Sequence, residues 1–511
     1  MLLIWTFNAM AAHHNPNIKH TDEKRAETPP AGNSLAPYIP VPTKPWNARR
    51  VAHLYRRLGF GATVDQIQQG LALTPSELVD QLLDAAAALP PQAPPAWSAW
   101  TTAEYAGNAG LMEAHRRELR HRWFADMLDE GLRAKMAFFW HNHFVTELLV
   151  YGCNAYMWSY YALLHQYALG NFRDFVLEMG KNPAMLVYLN SNVNEVGEPN
   201  ENYARELMEL FTMGESNGYT QQDVVEMARA LTGWKASFND CTPHFFDPAK
   251  FDNNPKTIFG VTDNFNFDSA HLLIFTERPI QVSEFIAGKI YRHFVCATPD
   301  TAIIKEMAAT FRNNNWELLP LFKQLFKSEQ FFEERFLNAQ IKSPLETLLP
   351  VLKMAGAQAA VHVDPQWWDD ITFWMDRLGQ RFVYGPENVA GWPGQRSWLN
   401  ESTLALRWNY VSLAMQFLGG NSQLQDNLRT LAKTLTNDSK DPALITAALV
   451  DFFLGQTLDP IYLDAAVEYF KAGIPAGYFT DGSWNLNWDE APDQIINLFR
   501  YLARLPEYQL T

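Results

Sequence analysis

The chain has 511 residues, enough for one large domain or two to three smaller ones, and its apolar fraction of 47% is that of a globular protein with a full core. A formal net charge of −15 argues against nucleic acid, whose phosphates demand a basic surface. No apolar run approaches the roughly 20 residues that span a bilayer, so no transmembrane segment is expected.

The first residues, MLLIWTFNAMAA, are apolar and end in small side chains. They resemble part of a signal sequence, but lack a basic n-region and are short for one. Residues 13–46, rich in Pro, Asn, His and Lys without periodicity, read as an extended arm, so 1–46 is taken as an N-terminal segment and 47–511 as one helical domain. A helix is predicted from Ala48 to Leu58, carrying Arg56 and Arg57. These two are candidates to clamp an anionic substrate group, or to serve as partners for carboxylates. Thr74-Pro75-Ser76-Glu77 opens the next helix with a cap, a first-turn proline and a capping-box glutamate. Pro90 to Pro95 is a connector. Amphipathic segments follow from Thr101 to about Glu130 and from Leu132 to about Phe144.

The second segment ends in His141-Asn142-His143. Residues two apart point to different sides of a helix, so both rings reach one ligand only where the helix unwinds. Trp140, Phe139 and Phe144 make the surroundings apolar, and polar imidazoles there need partners. One packed and one exposed histidine is the plain reading. The functional reading is acid–base or metal chemistry with carboxylates from elsewhere.

Helices are predicted at 154–169, 172–180 and 183–189, and then at the stretch Pro199 to Trp234. Asn200 caps a helix whose Tyr203, Leu207, Leu210 and Phe211 recur at helical spacing. At about 100° per residue the apolar arc covers roughly 220°, leaving a strip of Glu201, Asn202, Arg205, Glu206 and Glu209. Glu201, Arg205 and Glu209 stack at i, i+4 and i+8. The helix stops near Gly214, and Thr220 with Asp223 opens a second arm that Gly233 ends, completing a helical hairpin. The strip is either a solvated face or the carboxylate wall of a cleft, with Asn200 and Asn202 at its head as substrate contacts. Glu206 borders the apolar arc and has no cation at i±4, so desolvation raises its pKa and suits it to general-acid work.

Residues 235–279 lose helical periodicity and read as a long loop holding at most a small hairpin. Helices resume at 282–294, 301–313, 316–327 and 344–355. A second loop spans 379–400, and helices near 402–418, 422–436, 441–454, 459–471 and 490–505 complete an all-α chain. Two long loops over a central hairpin could meet over one site. In the second loop, Trp392 or Trp398 is placed to stack a sugar face, and Asn388 or Asn400 to bond its hydroxyls. Seventeen Trp and 14% aromatics suit such a surface, although most aromatics belong to the core. Cys153, Cys241 and Cys296 show no CxxC spacing. One disulfide with a free thiol and three reduced thiols are both open. HExxH, GxSxG, the phosphate-cradling GxxxxGK[ST] and paired Glu-x-x-His helices are absent.

NENYARELMELFTMG followed by YTQQDVVEMARALTGW resembles the signature of the bacterial domain-of-unknown-function family numbered 1800. HLYRRLGFGAT at His53–Thr63, FWHNHFVTE at Phe139–Glu147, MLVYLNSN at Met185–Asn192, IKSPLETLL at Ile341–Leu349, GPENVAGWPGQRSWLN at Gly385–Asn400 and the closing LPEYQL agree with it. The resemblance implies a mostly helical, largely exported bacterial protein and no established activity. It also leads one to expect a His-Asp pair after the 240s, where this chain reads Phe251-Asp252.

The first expectation is a hydrolase or lyase acting on a glycan or similar polar polymer, exported as the resemblance implies. It would use Glu206, Glu201 and Glu209 opposite His141 and His143. The second is a metal-dependent enzyme, an oxidoreductase among the options, with His141, His143 and Glu206 as candidate ligands to a divalent metal. The third is a non-catalytic export or assembly partner.

Overall fold

The computed structural model describes residues 35–358, 361, 365–382 and 384–511. The signal-like start and most of the expected arm lie outside the described residues. The last part of that arm, from Leu35, is packed: Leu35 and Tyr38 are buried, and Tyr38 takes part in a backbone bond to Lys327.

Helices make up 60% of the chain. α1 (Ala48–Leu58), α2 (Val64–Leu71) and α3 (Pro75–Ala87) open the domain; Asn47, Thr63 and Thr74 each cap one by accepting from a first-turn N–H. α4 (Ala109–Asp129) starts eight residues later than the sequence pattern suggests, because Glu104 folds back onto Thr101 in a separate turn. α5 (Leu132–His141) is buried along its whole length and touches α1, α3, α4 and α7 (Asn154–Gln166). Its three basic residues, Arg133, Lys135 and His141, are buried with the apolar ones, so it runs through the middle of the domain. α8 (Phe172–Lys181) and α9 (Pro183–Tyr188) pack on α7 and on each other, and α6 (Leu148–Tyr151) packs on α9.

The expected hairpin forms. Its first arm, α10 (Asn202–Glu206), runs on as a π-helical segment, Leu207–Thr212. Its second arm is α11 (Gln221–Ala230), with the full Thr220/Asp223 capping box. The next stretch holds more structure than one small hairpin. β1 (Trp234–Ser237) pairs with β2 (Thr242–Phe246), and β3 (Lys256–Ile258) with β4 (Val261–Asp263), both antiparallel. α12 (Phe267–Glu277) follows, its start fixed by an Asn266/Ser269 capping box. A disulfide ties Cys153 to Cys241, staking the first hairpin to the start of α7, and Cys296 is free.

α13 (Pro279–Phe294), α14 (Thr301–Asn313) and α15 (Leu318–Lys327) pack in succession, and α15 lies on α3. α16 (Pro344–Met354) begins at a Ser343/Glu346 capping box. A helix at Pro365–Arg377, not expected from the sequence pattern, packs on α4. The C-terminal helices Glu401–Gly419, Ser422–Thr436, Pro442–Leu454 and Pro460–Lys471 gather around Ala491–Leu502. The chain end returns to the middle: Gln340 exchanges both backbone bonds with Thr511, beside the start of α16.

Candidate functional site

A hollow lined by several of the expected residues lies where α5 ends. Its volume is about 460 Å³, and its walls come from the end of α5, the end of α13, the start of α16 and the loop Ala390–Trp398. Two glycines let that loop sit down. Gly385 (φ +87°) places its Cα where a Cβ would stand 2.2 Å from the Thr146 carbonyl oxygen, and a Cβ on Gly391 (φ +87°) would stand 2.4 Å from that of Asn142. Asn142 then clasps the loop through one backbone N–H and one carbonyl of Trp392, at 2.6 and 3.3 Å.

The π winding of α10 supplies the next part. Met213 N–H bonds back to Met208 rather than Glu209, at 3.0 Å, which adds a residue to the turn. The carbonyls of Leu210 and Phe211 then point away from the helix as free C-terminal acceptors. His143 Nε2 donates to the Phe211 carbonyl at 3.1 Å, and the Lys289 ammonium reaches the Leu210 carbonyl at 3.3 Å. A cation at a helix C-terminus is also favoured by the helix dipole. Lys289 donates to His143 Nδ1 at 2.9 Å, which fixes the tautomer with the proton on Nε2. Burial, then Lys289, hold His143 well below the usual histidine range, so the ring is neutral. Burial and the neighbouring Arg292 pull Lys289 down to about 8.

On the opposite wall Lys135 and Glu346 form an ion pair. Burial works to raise the Glu346 carboxyl. Lys135 and the Ser343 N–H outweigh it and hold the group at about 2. His293 stands beside this pair, edge-on to Phe294 and tilted against Phe139, and burial followed by Lys135 brings it down to about 3. Among the described residues no group hydrogen-bonds its ring nitrogens, and no carboxylate pairs with Lys289 or Arg292. The hollow therefore has a cationic lining with neutral imidazoles and an aromatic roof of Trp392 and Trp398.

Of the residues expected from the sequence, His143, Trp392 and Trp398 line this hollow. His141 does not. It is buried, Nδ1 bonds the Tyr160 hydroxyl at 2.9 Å, and its Nε2 has no partner among the described residues. Both histidines thus find partners other than the expected carboxylates. Glu201 and Glu209 bond Arg205 at 2.9 and 3.3 Å as their spacing predicts, and Gln221 joins Glu201 at 2.7 Å. Glu206 is half-buried and forms no hydrogen bond or ion pair among the described residues. Burial, then Glu209, raise its pKa. None of the three glutamates lines the hollow.

The expected substrate contacts Arg56 and Arg57 are buried structural donors instead. Arg56 Nη1 donates to the Leu454 carbonyl at 3.0 Å and Arg57 Nη2 to that of Phe336 at 3.2 Å. The asparagines are likewise committed to backbone. Asn200 accepts from Asn202 N–H at 3.0 Å, Asn388 from Ala390 N–H at 3.0 Å, and Asn400 from Thr403 N–H at 2.9 Å. Asn202 itself is exposed at the head of α10. Asp252, next to Phe251 where the resemblance departs, pairs with Arg229 at 2.8 Å and so serves the fold.

The expected metal ligands His141, His143 and Glu206 are not gathered. Among the described residues Asp126, Glu130 and His165 are the one trio whose donor atoms lie within 4.8 Å of one another. Arg133 and Gln92 already occupy Glu130, Tyr161 bonds Asp126, and Arg122 stands beside it. A donor set surrounded by two guanidinium groups does not suit a cation.

Lys135, Asn142, Lys289, Arg292, His293 and Glu346 were not singled out from the sequence. Their signals were present: the basic cluster Lys289–His293 in a last helical turn, and the capping box of Ser343. No curated protein and no solved structure matches the chain. The sequence model of one family, described as a protein of unknown function (DUF1800), matches residues 53–510, and the chain belongs to that family.

Proposed function

We propose that the hollow at the end of α5 is the active site of an exported lyase acting on an acidic glycan. The observation that carries this reading is Lys289 and Arg292 without carboxylate partners, facing the same space as His293 and Trp392. Two cations neutralise a substrate carboxylate, and that stabilises negative charge developing on the adjacent carbon. His293, neutral and unbonded, takes the proton from that carbon, the arriving carboxylate having offset Lys135 and made the ring a stronger base; the electron pair left on the carbon closes a double bond as the glycosidic bond from the next carbon to oxygen breaks, and the leaving oxygen takes its proton from water. Trp392 offers a ring face to the sugar. Export is supported by the Cys153–Cys241 disulfide, since such bonds persist in oxidising compartments.

The test is binding and turnover of hexuronate oligosaccharides against neutral oligosaccharides of equal length. Calorimetry should detect the acidic set only, and ultraviolet absorbance should report the unsaturated product. Lys289→Met should weaken binding at least tenfold, and His293→Gln should keep binding while losing turnover. Equal affinity for neutral and acidic oligosaccharides sinks the reading. A second reading, a hydrolase with Glu206 as general acid, is supported by the raised pKa of that unpaired carboxyl. It predicts loss of turnover in Glu206→Gln with His293→Gln still active.

A further inference from the structure

A second, much smaller cavity of about 40 Å³ lies between α1, α16 and the end of the helix Pro442–Leu454. Two cationic side chains line it, and no carboxylate does. Lys342 is only 3% exposed. Its ammonium sits 3.8 Å from the centre of the Tyr508 ring, and among the described residues it has no hydrogen-bond acceptor. Arg56 is 9% exposed and spends Nη1 and Nε on the carbonyls of Leu454 and Ala52, leaving Nη2 without an acceptor among the described residues. The remaining walls include Ile67, Val351 and Phe453. Glu346, the acid of the neighbouring helix, is already paired with Lys135.

Two cationic groups lining one small pocket without a carboxylate are costly, and burial, then Arg56, hold Lys342 well below the usual lysine range. A ring face compensates an ammonium only in part. The void exceeds the roughly 10–15 Å³ that one water needs, yet is far too small for a sugar. We propose that it holds a monatomic anion, chloride under physiological conditions, bound between the Lys342 ammonium and the Arg56 guanidinium as a structural ligand. The site is separate from the hollow at the end of α5 and stands or falls independently of the lyase reading.

Crystals of the full chain grown with bromide in place of chloride, measured at the bromine absorption edge, should show an anomalous peak in hydrogen-bond contact with Lys342 Nζ and Arg56 Nη2. In solution, replacing chloride by gluconate at constant ionic strength should lower the thermal midpoint of the wild-type protein by about 2 °C or more. Lys342→Met, which fills the space with an uncharged chain, should remove that response. A cavity that is empty or holds only water in the bromide crystals overturns the proposal, whether or not the variant folds. So does an equal loss in gluconate for both proteins.

Discussion

Arg205 and Glu206 are neighbours on α10 with opposite circumstances, and their variants should behave oppositely. Arg205 sits between Glu201 and Glu209, but the three side chains are 36%, 36% and 23% exposed. Screening by water limits what each pair contributes, so Arg205→Ala should cost about 0.5–1 kcal/mol rather than the several expected of a buried triad. Glu206 has a raised pKa from burial and from Glu209, so its charge opposes folding. Glu206→Gln should leave the thermal midpoint unchanged or slightly higher at pH 7. Calorimetric melting of both variants checks this, and a Glu206→Gln protein that melts well below wild type would show an unrecognised partner for the carboxyl. The spacing of Glu201, Arg205 and Glu209 was legible in the sequence because i,i+4 neighbours meet on any helix. The partners of His141 and His143 were not legible. They depend on Tyr160 and on carbonyls released by a π turn, and periodicity carries neither.

At the scale of elements, capping chemistry was the most legible feature, as the boxes at Thr74 and Thr220 formed as read. The stretch after Gly233 reads as a loop with at most one small hairpin, where there are two, because its strands are three to five residues long, too short for alternation to show. The Asn266 capping box was in the sequence, but the helix behind it has weak amphipathic character, with Phe267, His271, Leu273 and Phe275 all buried. The loop over the hollow was recognised, and its seat was not, since that seat is a close approach between Gly391 and Asn142 across a long sequence separation. Gly391→Ala should therefore unseat the loop. Its Cβ would meet the Asn142 carbonyl oxygen at 2.4 Å, in addition to the strain of a positive φ. The expected loss is on the order of 2–4 kcal/mol, with positive-φ strain alone supplying about 1–2 of it. Gly107→Ala is the control, because φ is +77° there and an added Cβ meets nothing within 4 Å. Thermal melts of the two should differ, and Trp392 fluorescence should shift to the red in Gly391→Ala alone. Equal melting points would mean that the contact does not hold the loop.

At the scale of the whole molecule, the interior carries neutral histidines, and this sets how the protein responds to acid. His141 and His293 are brought to about 3 and His271 to about 4, each chiefly by burial. His53 and His143 are lowered well below their ordinary value by the same cause, with nearby cations adding to it. In the unfolded chain each would titrate near 6.5. A folded pKa below the unfolded one means that the unfolded state binds the proton first. Stability from these groups is thus complete above about pH 6.5 and falls as the pH drops toward the folded values. Glu346 acts in a lower window. Its folded pKa of about 2 lies below the unfolded value near 4.3, so its contribution is present above about pH 4.3 and is lost on further acidification. The thermal midpoint should accordingly fall slightly from pH 8 to 7 as Lys289, held at about 8, takes up its proton in the folded chain, level off to about 6.5, decline from there to 4.5, and steepen below. His271→Gln separates the windows: its ring bonds Tyr203 at 3.0 Å and the Phe267 carbonyl at 2.7 Å, and an amide can replace both without titrating. That variant should melt lower than wild type at pH 8 and lose less between pH 6.5 and 5. Differential scanning calorimetry across the series decides it, and a midpoint that holds level down to pH 5 would show that the buried imidazoles are already protonated in the folded chain.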